Sequence, residues 1–202
     1  MPFQNRVAPT GELHAVAFKG TLMGNRGIIH DHEGKITRTH AHQNWVTCSL
    51  QYKDRKQILM APGHYTQLFF LDEVTALGAG HRPCATCRRE RYKSFVDAWC
   101  EVHGYPEDGR AVPQAIDRRL HAARISRKRE KVTFRARLKD LPDGTFFAGE
   151  ERPILLWNGA FLEWSFAGYE ELDLAPPEEV TVLTPKPLID IFSAGWKPEV
   201  RL

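Results

Sequence analysis

The stretch LFFLDEVTALGAGHRPCATCRR, residues 68–89 of the 202-residue chain, carries the most specific structural signals in the sequence. It begins with apolar residues typical of a strand, and Asp72 then predicts the cap of a short helix that ends at Gly80. Cys84 and Cys87 follow where a tight turn meets a longer helix. Two intervening residues allow both sulfurs to bind one ion at about 2.3 Å. The helix N-terminus and the neighbouring arginines favour the thiolate form.

This stretch resembles the zinc-binding domain of the Ada-type alkyl-DNA repair proteins. That family has a strand ending in two aromatics, a short helix rich in Glu and Ala, and then a Gly–aromatic–Arg-Pro-Cys-x-x-Cys run. Residues 69–87 agree with this pattern, with His81 in the place of the aromatic. The resemblance implies a tetrahedral zinc site, completed by two ligands upstream of the Cys-x-x-Cys pair, in a protein that acts on DNA.

The third cysteine ligand is predicted to be Cys48, which lies upstream of the pair. Cys100 lies roughly 20 Å from Cys87 along the predicted helix, at 1.5 Å per residue, and so we interpret it as a buried thiol. For the fourth ligand the sequence favours His42, then His40, then a water molecule. The predicted site is therefore one Zn²⁺ held by four residues: Cys48, Cys84, Cys87 and His42.

The alternatives to this site are thiols without a metal. The Cys-x-x-Cys pair can be a reduced pair that holds no ion. Cys48 can be a core thiol, because it shares one face of a predicted strand at 45–52 with Val46 and Leu50. We expect that face to point into the core.

Charge is distributed unevenly along the chain, although the net charge is only +3. Residues 113–140 hold 10 basic and 3 acidic residues, whereas residues 141–202 hold 4 basic and 11 acidic residues. A basic segment suits a polyanion. Six arginines are therefore candidates for phosphate contacts: Arg118, Arg119, Arg124, Arg127, Arg135 and Arg137. The competing interpretation is that they pair with acidic residues of the tail: Glu170, Glu171, Glu178 and Glu179.

Periodicity in the rest of the chain predicts helices mixed with paired strands. A long helix is expected at about 87–104 and a second at about 113–130. Residues 132–138 alternate like a strand, and Asn158-Gly159 between two apolar runs is a strong hairpin signal. A further hairpin is expected within residues 45–60. The class is therefore α+β, with mainly antiparallel strands and hairpins, two or three helices and a zinc-knuckle module.

We expect one compact domain over residues 1–202, with the zinc-binding Ada-like module at 43–104 inside it. A hydrophobic fraction of 42% and a charged fraction of 26% exclude a mostly disordered chain. No apolar run approaches the roughly 18 residues of a membrane span, and the first residues lack the features of a signal peptide. A cytoplasmic protein without a membrane partner is expected.

The sequence as a whole predicts a zinc-binding protein that binds or processes nucleic acid, DNA rather than RNA, through non-specific phosphate contacts. One alternative is a metal-dependent hydrolase or deaminase that acts on a small molecule, with the pairs His30/His32 and His40/His42 at its site. Deaminase chemistry requires a His-x-Glu element, and residues 40–42 lack the Glu. Another alternative is an interaction module with a structural zinc. The sequence favours no particular oligomeric state.

Overall fold

The computed structural model describes residues 1–53, 58–173 and 177–202. The first sheet in this part of the chain has six strands: β1 (Arg6–Val7), β2 (Leu13–His14), β3 (Leu22–Asn25), β4 (Val46–Ser49), β5 (Leu68–Phe70) and β6 (Arg82–Pro83). Their order across the sheet is β2-β1-β5-β3-β4-β6. The pairs β1/β5 and β4/β6 are parallel and the other pairs are antiparallel.

The second sheet also has six described strands: β7 (Phe134–Arg137), β8 (Thr145–Ala148), β9 (Pro153–Trp157), β10 (Ala160–Ser165), β11 (Gly168–Leu172) and β12 (Glu179–Val182). Their order is β11-β10-β9-β8-β12-β7, and the pairings between them are antiparallel. Two mostly antiparallel sheets together with helices confirm the predicted α+β class.

Four α-helices and one short 3-10 helix complete the described part of the chain: α1 (Glu73–Gly78), α2 (Arg89–His103), α3 (Val112–Arg124), α4 (Lys186–Ser193) and the 3-10 helix (Leu138–Asp140). The sequence predicted two or three helices, so the helical content is close to expectation. The described helices are all too short or too polar to cross a membrane.

The short helix α1 connects the apolar clusters of the molecule. Asp72 caps it as predicted, its carboxylate accepting a hydrogen bond from the backbone N–H of Thr75 at 2.9 Å. All six residues of α1 are buried. Leu77 packs in a cluster with α2, α3, α4 and the second sheet. Val74 packs against other residues of the second sheet, and Ala76 against the first. The stretch 68–89 therefore positions both sheets.

Helix α3 ends at Arg124, although the sequence predicted a helix to about residue 130. Ile125 is extended, with φ −146° and ψ 134°, as suits a β-branched residue. The Ser126 hydroxyl oxygen then accepts hydrogen bonds from the backbone N–H groups of Lys128 and Glu130. These side-chain hydrogen bonds stabilise a tight turn in place of a further turn of helix.

One predicted hairpin is confirmed and the other is wrong in its described part. Asn158 and Gly159 have φ of 51° and 80° and join β9 to β10, as their sequence predicts. Within 45–60, strand β4 pairs instead with β3 and β6. Residues 58–60 form no strand, and residues 54–57, where the predicted turn falls, lie outside the described residues.

Candidate metal centre

Cys48 meets the pair Cys84 and Cys87 because the strands β4 and β6 run side by side. The backbone N–H of Cys84 donates to the carbonyl oxygen of Thr47 at 2.9 Å, which places Cys84 beside Cys48. The turn into α2 then brings Cys87 close to β4, and its sulfur accepts a hydrogen bond from the Ser49 N–H at 3.4 Å. Two neighbouring strands and one turn therefore assemble the group.

The geometry of this cysteine group, Cys48, Cys84 and Cys87, fits a single metal ion. Its three sulfurs all lie within 4.8 Å of one another. Three sulfurs bound to one zinc ion at about 2.3 Å in a tetrahedral arrangement are about 3.8 Å apart, so a small adjustment brings them into coordination distance. The backbone N–H of Thr86 also donates to the Cys84 sulfur at 3.4 Å. The group can hold a metal ion.

The three thiols of the group shift one another's pKa values. A hydrogen bond from Cys48 is the main cause that lowers the pKa of Cys84 below its usual value. That hydrogen bond, followed by burial, raises the pKa of Cys48, and burial is the main cause that raises the pKa of Cys87. Cys84 is therefore the thiol of the group that ionises most readily. A divalent ion held by the three sulfurs would deprotonate the other two thiols as well, since a coordinating thiol is deprotonated.

A network of ion pairs beside the turn into α2 holds the Cys87 sulfur in place. The carboxylate of Glu73, which is 1% exposed, lies 2.8 Å from the Arg88 guanidinium and 2.6 Å from that of Arg91. Arg88 also donates to the Thr47 hydroxyl at 3.3 Å. Because Arg88 directly follows Cys87, these contacts fix the start of α2 relative to β4.

The cysteine group forms part of the wall of a cleft of about 520 Å³. Apolar and aromatic side chains make up much of the remaining wall, among them Met23, Leu50, Leu59 and Phe69. A volume of this size is typical of sites for small ligands. Leu50 is 49% exposed and Thr47, not Cys48, is the buried residue of β4 at 1%. The prediction that the Cys48 face points into the core is therefore wrong.

The structure does not bring His42 to the cysteine group. No histidine, and no further Cys, Asp or Glu, joins the three sulfurs within 4.8 Å in the described part of the chain. The Ala41 N–H donates to the Arg26 carbonyl oxygen at 2.7 Å, and the His42 carbonyl accepts from the Trp45 indole at 3.0 Å. The first bond joins the loop before β4 to the residue that follows β3, and the second lies within that loop. Cys100 is a buried thiol on α2, 6% exposed, as predicted.

The arginines predicted to contact phosphate do not share one exposed face. Arg118 and Arg119 are exposed on α3, and Arg127 is exposed in the turn after it. Arg124 instead points inward and is 2% exposed. An exposed nucleic-acid interface built on α3 therefore excludes Arg124.

The two arginines of β7 have acidic partners. Arg135 lies 3.2 Å from Glu179 on the neighbouring strand β12, and Arg137 lies 2.7 Å from Asp140. The pair with Glu179 is the kind of contact that the competing interpretation predicts between the basic segment and the acidic tail. Exposed pairs of this type contribute little to stability.

A second set of titratable side chains surrounds Trp45. The rings of His40, His81 and His121 lie 5.7, 5.2 and 6.2 Å from the Trp45 ring. Burial lowers the pKa of all three. For His121, burial followed by the positive charge of Arg124 lowers the pKa to about 4. The folded protein therefore keeps these rings neutral.

This arrangement predicts a loss of stability in mild acid. The pKa of each ring lies below the ordinary 6.5 in the folded state, so below that pH the unfolded chain takes up protons that the folded chain does not. The stability that the neutral rings contribute is fully present above pH 6.5 and is lost as the pH drops towards their pKa values in the folded state. Denaturant unfolding at several pH values in zinc-saturated buffer checks this, together with proton NMR of the His121 ring. A ring that titrates near 6.5 contradicts it.

Two cations near Trp45, the buried Arg26 and the half-buried Lys131, were not singled out by the sequence. Arg26 is 3% exposed, and Lys131 donates to the carbonyl oxygens of Pro9 and Gly78. Both lie beside Arg124 in space, although the three residues are far apart in sequence. No local pattern marks such a group, since each residue alone is an ordinary surface type.

Comparison of the chain with known protein families, with curated proteins and with solved structures found no match. The fold and the site define an α+β protein with three convergent cysteines whose geometry fits a metal ion.

Proposed function

We propose that this chain is a zinc protein that binds nucleic acid, DNA rather than RNA, through its phosphates. The observation that carries the proposal is the convergence of three cysteine sulfurs within 4.8 Å. Thiolate ligands in this number suit zinc, whereas magnesium and calcium prefer oxygen ligands. The resemblance of residues 68–89 to the Ada-type zinc domain supports the same ion and links it to DNA. We place the protein in the cytoplasm, where thiols stay reduced.

Exposed cations that lack an acidic partner support the nucleic-acid part of the proposal. Five such residues lie along α3 and in the turn after it, with no carboxylate oxygen of the described residues within 4.0 Å of their charged groups: Arg118, Arg119, Arg127, Lys128 and Arg129. Hydrogen bonds to Ser126 fix the turn. Unpaired cations on a fixed backbone are suited to phosphate contacts that carry no sequence information.

We expect the triple variant Arg118→Ala/Arg127→Ala/Lys128→Ala to weaken DNA binding and to reduce its salt dependence. Each phosphate contact contributes about 0.9 to the slope of log K against log salt on duplex DNA. Losing three contacts flattens the slope by up to about 2.7. Fluorescence anisotropy with a short duplex at several salt concentrations measures both quantities, and a single-stranded RNA of equal length tests the preference for DNA.

The matched control is Arg135→Ala/Arg137→Ala/Arg152→Ala. It removes the same number of charges, but each of these arginines has a carboxylate partner within 3.3 Å, so binding is expected to change little. If the wild-type protein binds no DNA at low salt, the nucleic-acid proposal is wrong. A zinc-loaded protein without DNA binding then supports the alternative of an interaction module. Turnover of a small molecule at the 520 Å³ cleft supports the hydrolase alternative.

A further inference from the structure

A cavity of about 690 Å³ lies between the first sheet and the segment that follows α3. Arg26, Arg124 and the half-buried Lys131 all line it, and we call this set the cation group. Arg26 is 3% and Arg124 2% exposed. In the described part of the chain, no carboxylate oxygen lies within 4.0 Å of their charged nitrogens. Three positive charges therefore meet in one place without an acidic partner.

Neutral groups hold the cations in position. Arg26 donates to the Gly11 carbonyl oxygen at 2.9 Å and to a ring nitrogen of His81 at 3.3 Å. Arg124 donates to the carbonyl oxygens of Gly80 and Gln43. The Nε of Arg124 is buried and has no partner. The backbone orients these side chains, but it does not neutralise them.

The nearest buried carboxylate belongs to another pair. Asp117 lies close enough to act on Arg124 electrostatically, but both of its oxygens accept hydrogen bonds from Arg82 at 2.7 Å. The two acidic residues that line the cavity, Glu12 and Glu130, are both exposed at its edge. Positive charge in the interior therefore exceeds negative charge.

The Trp45 ring compensates two of these charges in part, since the guanidinium carbons of Arg26 and Arg124 lie 4.1 and 4.0 Å from its centroid, but the ring carries no negative charge. Burial lowers the pKa of Arg26 to about 9. Burial, then the charges of Arg26 and Arg124, lowers the pKa of Lys131 to about 7. Desolvated cations that repel one another are stabilised when an anion occupies the space between them.

We propose that this cavity binds a phosphate group through Arg26, Arg124 and Lys131. Two guanidinium groups and an ammonium supply charge-assisted donors, the combination that recognises phosphate oxygens. The site is separate from the cysteine group, and of the five exposed cations proposed to contact DNA only Arg129 also lines the cavity, so the proposal goes beyond the function proposed above.

The size of the cavity indicates that the ligand is a phosphate ester rather than phosphate alone. A volume of about 690 Å³ is in the range that holds a small organic ligand. Hydroxyl and amide groups line part of the rest of the cavity, among them Gln4, Thr10, Thr37 and Thr39. They suit a polar organic part such as a sugar. A mononucleotide and the terminal phosphate of a nucleic-acid strand share this chemistry.

Calorimetric titration of the zinc-loaded full-length protein tests the proposal. The probes are inorganic phosphate, a nucleoside 5′-monophosphate with its nucleoside, and an oligonucleotide with and without a 5′-phosphate. We expect each phosphorylated probe that fits to bind more tightly than its unphosphorylated counterpart. Preference for the mononucleotide identifies a small-molecule site, and preference for the phosphorylated oligonucleotide identifies a strand-end site. Either result supports the proposal.

Lys131→Met removes one charge from the cavity and is expected to weaken phosphate binding by about ten- to a hundredfold, the value of one charge-assisted hydrogen bond. Arg26→Gln is a second variant with the same expected effect, in case Lys131→Met does not fold. Lys139→Met is the matched control, because Lys139 is exposed in the 3-10 helix, does not line the cavity and is not among the cations proposed to contact DNA. Equal affinity in the cavity variants and in the control, or no binding of any phosphorylated probe, overturns the proposal.

Discussion

Replacing Cys84 with serine is expected to remove zinc from the protein and to destabilise the fold. Cys84 lies between the two other sulfurs of the cysteine group in the hydrogen-bond network, accepting from Cys48 and from the Thr86 N–H. A site reduced to two thiols loses most of its affinity. At free zinc about a thousandfold above the wild-type Kd, bound metal stabilises the folded state by about 4 kcal/mol, and the variant loses this contribution.

Metal analysis of the purified variant and denaturant unfolding with added zinc measure the two effects. Cys100→Ala is the matched control, because Cys100 is a buried thiol on α2 outside the cysteine group. We expect it to keep its zinc and to lose only about 1 kcal/mol. If Cys84→Ser retains full zinc and wild-type stability, the cysteine group is not a metal site.

A second large effect is expected from Asp117→Ala. The carboxylate of Asp117 makes two hydrogen bonds of 2.7 Å with Arg82, and the side chains are 11% and 7% exposed. Removing it leaves the Arg82 guanidinium buried without a carboxylate, close to the positive charge of Arg124. Breaking a buried pair in this way costs about 3–5 kcal/mol. The free energy of unfolding is therefore expected to fall by that amount.

Asp140→Ala provides the comparison for this prediction. Asp140 pairs with Arg137 at 2.7 Å, but both side chains are at least half exposed. Solvent screens such pairs, and losing one costs about 0–1 kcal/mol. Equal stability losses in the two variants, measured by urea unfolding, are inconsistent with a buried Arg82–Asp117 pair.

Local signals predicted the parts of the fold that depend on near neighbours in sequence. The cap at Asp72, the glycine that ends α2 at Gly104, and the Asn158-Gly159 turn all function as their residue types require. The Cys-x-x-Cys spacing also predicted that Cys84 and Cys87 converge, and Cys48 joins them. Each of these features is decided within a few residues or by a simple pairing of strands.

Local sequence signals did not predict the partners of the buried arginine side chains. Arg124 looked like a member of an exposed basic segment, yet it is buried, and so is Arg82. Their partners lie on other elements, at Gly80, Gln43 and Asp117. Which arginine turns inward depends on where carbonyl and carboxylate groups lie after packing, and a charge pattern does not contain that information.

Strand β4 shows the same limit on a smaller scale. Period-two alternation groups Cys48 with Val46 and Leu50 but does not say which face is inside. Thr47 takes the inner position because its hydroxyl donates to the Arg82 carbonyl oxygen at 3.2 Å. Cys48 then faces the cleft, where the other two sulfurs reach it.

The most direct test of the zinc site is X-ray absorption at the zinc edge of wild-type protein purified without added metal. The proposed site predicts one zinc per chain, with three sulfur neighbours at about 2.3 Å and one lighter neighbour. Protein that retains no zinc when prepared under reducing conditions, or zinc with at most one sulfur neighbour, contradicts a metal centre built from Cys48, Cys84 and Cys87.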